Sequence, residues 1–101
     1  MSNRYLSETE EELFFDRYFE YGEDEAASNA KMALLLMEKS HQEVKSVAAM
    51  AEDGECFDQK AAALSFKNLA LAESFLKQFA EQLPESEAVP VLRKAEEIKN
   101  K

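Results

Sequence analysis

Glycine and proline are almost missing from this sequence, at two residues each in 101. A β-sheet protein needs turn residues at regular intervals, so their scarcity excludes a strand-rich fold. Cysteine occurs once, as Cys56, which rules out an internal disulfide. A reducing cytoplasmic location is the compartment expected from that usage. Bases are in short supply: 12 Lys and Arg stand against 21 Asp and Glu, a net charge of −9. Phosphate contacts need clustered bases, so no nucleic-acid partner is expected. The longest apolar run, residues 32–37, is far shorter than the roughly 18 residues of a membrane span, so no membrane partner is expected either. No basic stretch followed by an apolar one opens the chain, so no secretory leader is expected. Paired-cysteine metal spacing, a glycine-rich phosphate loop and a Ser-His-Asp set are also lacking. Nothing here names a reaction, and the chain is not expected to be an enzyme.

What remains is rich in Ala, Leu, Glu, Lys and Met, the helix formers. A chain of 101 residues makes one domain and buries about two-thirds of its unfolded surface, enough for a thin helical core. Residues 1–6 read as a flexible tail. Ser7 to Glu10 and Thr9 to Glu12 both match the capping box, so a first helix is expected over about 9–21. A long helix over about 25–52 carries Ala30, Leu34, Met37, His41, Val44, Ala48 and Ala51 in a 4-3-4-3 pattern. A third, over about 59–83, repeats that spacing from Ala62 and Phe66 through Leu69, Glu73, Leu76 and Ala80 to Leu83. Its second stripe, Leu64, Leu71, Phe75 and Phe79, is wide enough to touch another neighbour. Pro84 ends it, and a short last helix is expected over about 89–99. Short loops make consecutive helices antiparallel. The expected fold is an all-α, small antiparallel bundle built on a long helical hairpin, with Leu34, Met37, Phe66, Leu69 and Leu76 in its core.

Charge is concentrated at the start. The first 25 residues hold nine acids against Arg4 and Arg17, a net of −7, together with six of the ten aromatics. The other 76 are nearly balanced, with 12 acids and 10 bases. Acids beside aromatics make a soluble surface that selects a basic, apolar protein partner. Phe14, Phe15, Tyr18 and Phe19 are the expected contact rings, with Glu10, Glu11 and Glu12 as the steering acids. The competing reading is that these rings pack on the hairpin as an ordinary third helix. The expected function is a cytoplasmic protein-protein interaction module: an adaptor, a chaperone-like binder or an inhibitor. A homodimer is also expected, because the apolar stripes exceed what one hairpin covers.

Two polar residues, His41 and Glu73, interrupt the seams. Glu38-x-x-His41 has the Glu-x-x-His spacing of di-iron carboxylate bundles, whose other helices each add a glutamate. The alternative function is therefore a dimeric ferritin-like bundle in which Glu38, His41 and Glu73 bind iron or another divalent metal. A His–Glu hydrogen bond that fixes register accounts for the same residues without a cofactor. A phosphoacceptor role for His41 conflicts with its place on an apolar stripe. Cys56 lies between Glu55 and Phe57, and the acids near it argue against a reactive thiolate.

Overall fold

The computed structural model describes residues 8–100, so the expected tail lies outside them. Four α-helices follow in order: α1 Glu8–Tyr18, α2 Ala26–Glu52, α3 Gln59–Glu81 and α4 Glu85–Lys99, with one 3₁₀ turn, Glu23–Glu25, before α2. The described residues form no strand. The bundle is all-α, as the composition requires.

The α2–α3 hairpin closes over residues 53–58. Gly54, at φ 71, sits just past the end of α2. Its N–H donates to the Ala51 carbonyl, and the Glu55 N–H donates to the Met50 carbonyl, the paired bonds of a Schellman stop. Asp58 then caps α3 by accepting from the backbone N–H groups of Lys60 and Ala61.

The hairpin seam is made of small residues. Ala26, Ala30, Ala33, Met37 and Ser40 are buried on α2, and Ala62, Ser65, Ala72, Leu76 and Ala80 on α3. Alanine and serine let the two backbones approach closely, and Met37 and Leu76 fill the centre completely. The true seam is therefore rotated from the expected one. Met37 and Leu76 hold their expected places, while Leu34 and Leu69 are only half-buried. Phe66, expected in the core, is 53% exposed. Branched and aromatic residues stand on the shoulders of a seam too narrow to admit them.

Those shoulders seat the outer helices. Ala95 and Ile98 of α4 are buried against the hairpin. Helix α4 begins at Glu85, four residues before its expected start, because the Pro84 carbonyl accepts from the Glu87 and Ala88 N–H groups. Glu85 and Glu87 then meet the positive end of the helix dipole. Pro90 falls inside the helix but stays exposed, so the carbonyl it leaves without an intrahelical bond is not walled off from water. Lys99 Nζ meets Glu73 Oε1 at 2.6 Å and ties the end of α4 to α3.

Leu76→Ala should cost about 2–5 kcal/mol, because a completely buried side chain leaves a cavity. Phe66→Ala should cost about 1 kcal/mol or less, near the range of surface substitutions. Urea midpoints of both variants in dilute solution check the order; equal losses would put the seam back on the expected face.

Candidate functional site

Helix α1 ends at Tyr18, three residues early, yet its aromatic set continues into the residues that follow it. The rings converge on α3. Phe14 lies parallel to Phe75, at 6.0 Å between centroids and 2° between planes. Phe15 meets Phe75 edge-on at 5.6 Å. Phe19 packs on Phe75 at 5.3 Å and on Phe79 at 4.9 Å. Such tilted and offset pairs each add about 0.5–1.5 kcal/mol beyond their buried area. Phe14 and Phe19 are buried, at 7% and 5% exposure, while Phe15 and Tyr18 are half-buried. Within the free chain Phe14, Phe15 and Phe19 are thus occupied by α3, Tyr18 packs on Phe14, and α1 is a bundle member.

An asparagine clasp fixes the exit from α1. The Glu20 N–H donates to Asn29 Oδ1 at 3.0 Å, and the Asn29 amide donates back to the Glu20 carbonyl at 2.7 Å. Asn29 is buried, and nothing in its sequence position marked it. Gly22, at φ 134, supplies the reversal that brings Glu20 back over α2. The turn also crowds acids. The Glu20 carboxyl beside Glu25, helped by desolvation and by Asp24, raises the Glu25 pKa above the ordinary carboxylate value. Tyr21 donates to Asp16 at 2.6 Å, and that hydrogen bond pushes its phenol pKa up.

The outer side of α1 faces a groove of about 420 Å³. Phe14, Tyr18 and Leu71 line it, together with Leu13 and Leu64, which are 63% and 58% exposed. Glu10, Arg17 and Lys67 add charge to the lining. Glu10 pairs loosely with Lys67 at 3.7 Å. Of the steering acids, Glu12 is exposed, and Glu10 and Glu11 are half-buried. Leu64 belongs to the second stripe expected on the third helix, whereas Leu13, set beside the ring stripe of α1, was missed as a contact residue.

Of the residues of the alternative metal site, Glu38 and Glu73 line different grooves, and His41 is half-buried on α2. Glu38 lines a groove with Lys31, Leu34, Lys94 and Ile98. Glu73 lines another with Met37, Leu92, Ala95 and Lys99, and its carboxylate is engaged by Lys99. Among the described residues, no three His, Cys, Asp or Glu side chains are grouped to hold a metal ion. No helix among them is long and apolar enough to cross a membrane. Compared with protein-family models, curated proteins and solved structures, the chain matches none.

Two outcomes follow. Asn29→Ala removes both clasp bonds and should cost about 1–3 kcal/mol, with hydrogen exchange in α1 accelerated more than in α3. Glu25→Gln tests the acid cluster. A raised carboxyl pKa contributes stability that is present below the unfolded value, about 4.3, and is lost as pH rises through the folded value. The variant should therefore melt higher than the native chain at pH 7, and the difference should vanish near pH 4. A constant difference across that range would show that Glu25 carries no such penalty.

Proposed function

We propose that this protein acts by contact, as a small acidic interaction module of the cytoplasm, and that the groove between α1 and α3 takes a basic, apolar segment of a protein partner. The observation that carries this reading is the pair Leu13 and Leu64, two largely exposed leucines over an apolar floor. Of the acids of α1, Glu10 lines the groove, beside Arg17 and Lys67, while Glu12 and Asp16 are exposed outside its lining. Apolar side chains of a partner would enter the groove, and its bases would meet the acids, which speed encounter and select the partner. Phe14 and Tyr18 serve as floor, so the rings expected to bind from outside contribute by shaping the groove. The exposed Cys56 thiol accords with a reducing compartment. An adaptor, a chaperone-like binder and an inhibitor all use such a surface.

A synthetic amphipathic helix of Leu and Lys is the probe. Amide shifts on titration should saturate and centre on residues 10–18 and 64–71, and affinity should fall as salt rises. Leu64→Glu should weaken binding at least tenfold without unfolding the chain, since Leu64 is exposed. Replacing Glu10, Glu11 and Glu12 with Gln should slow association and flatten the salt dependence. Shifts spread over every acidic surface, indifferent to Leu64→Glu, would sink the groove as the site.

A further inference from the structure

We propose that residues 8–21 form a strap, hinged at Gly22, that opens from the hairpin as a unit while α2, α3 and α4 stay folded, and so makes and dissolves the α1–α3 groove. The regulation rests on that groove being the binding site; the opening does not. Two tied pieces meet at Gly22. On one side, Tyr21 is fastened back onto α1: its hydroxyl donates to Asp16 at 2.6 Å, and its ring lies 4.6 Å from that of Phe15. On the other side, the 3₁₀ turn Glu23–Glu25 packs on α2 and runs straight into it. Between them Gly22 takes φ 134 and ψ 149, a conformation essentially confined to glycine. The Glu25 N–H closes the turn on the Gly22 carbonyl at 3.3 Å, beyond the usual length of such a bond. Rotation about the φ and ψ of this one residue moves α1 and Tyr21 together.

A latch and a spring act across the same hinge. Helix α1 reaches the hairpin through side chains, with little close approach of its backbone to the other helices. Phe14, Phe15 and Phe19 rest on Phe75, and Phe19 also on Phe79. The Asn29 clasp latches Glu20 to α2. The spring is charge. Glu20 lies before Gly22, and Asp24 and Glu25 lie after it. The closed reversal brings the Glu20 and Glu25 carboxyls into hydrogen-bonding contact, where two ionised groups repel. An element held by few contacts opens at a lower free energy than the core does. Opening takes away the groove wall of Leu13, Phe14 and Tyr18 and bares Phe75 on α3. A partner that fills the groove binds the closed strap alone, so its apparent affinity scales with the closed population.

Native-state hydrogen exchange of the full chain reads the opening without any partner. Amides of α1 should exchange about tenfold or more faster than those around Leu76 of α3, with a weaker dependence on added urea, because the opening exposes only part of the buried surface. A Cβ at Gly22 would meet Glu25 Cγ at 3.5 Å, an ordinary contact, so Gly22→Ala acts through strain in the closed backbone. It should speed α1 exchange about tenfold or more. Glu25→Gln removes the charge from the spring and should slow α1 exchange at pH 7. Exchange of α1 that follows α3 in both rate and urea dependence overturns the strap. An opening indifferent to both substitutions overturns the hinge. The amphipathic Leu and Lys helix, at saturating concentration, should then slow α1 exchange about tenfold or more, because it binds the closed form. An opening that this peptide does not slow overturns the regulation and the groove reading while the hinge stands. Peptide binding at the groove with no separate opening of α1 overturns the strap and leaves the groove.

Discussion

The close approach of α2 and α3 along a seam of alanines and serines is the constraint on which the rest depends. Two helices that meet through small residues bury little side chain between them. Among the described residues, Met37 and Leu76 are the large side chains completely shut in. The larger apolar residues are displaced to the shoulders of the pair, and each shoulder needs its own cover. Helix α4 covers one with Ala95 and Ile98. Helix α1 and the adjoining Phe19 cover the other with rings that pack on Phe75 and Phe79. The four-element architecture is thus a consequence of a narrow seam.

The same constraint explains why so acidic a helix is retained in the bundle. Helix α1 and the turn behind it carry charges that repel one another, and at the turn the Glu20–Glu25 hydrogen bond, with repulsion between the same two carboxyls, raises the Glu25 pKa. Dispersion and burial among Phe14, Phe15, Phe19, Phe75 and Phe79 oppose it. The Asn29 clasp adds two hydrogen bonds where the chain leaves the helix. With the rings turned inward, the acids are left on the outside, and α1 becomes a charged wall fixed in place by apolar packing.

The helices and their order were legible because they rest on local chemistry. Gly54, Asp58 and Pro84 mark boundaries through backbone geometry, and periodicity supplies the helices between them. The seam was misread by a rotation because large apolar residues draw the eye, while the closest contact is made by small ones. Phe66 is the clearest case: it keeps perfect heptad spacing and lies 53% exposed. The early start of α4 was hidden by Pro90, which marks a first turn by habit and here sits in the second. Asn29 was illegible, since its partner is a backbone amide nine residues away. The aromatic rings of α1 were read correctly as a set. Whether they faced a partner or the hairpin depended on the outward reach of Phe75 and Phe79, which is a tertiary fact.

Charge is distributed along this molecule in a way that packing alone does not demand. Two acidic regions, the first 25 residues and the hairpin tip, are separated by a basic middle. Within the chain, α1 runs alongside α3 and brings Glu10 to Lys67. One side of the basic middle thereby meets acid from the same chain. Past the end of α4 the apolar rows through Phe66 and Val44 continue with no other helix of the described residues over them.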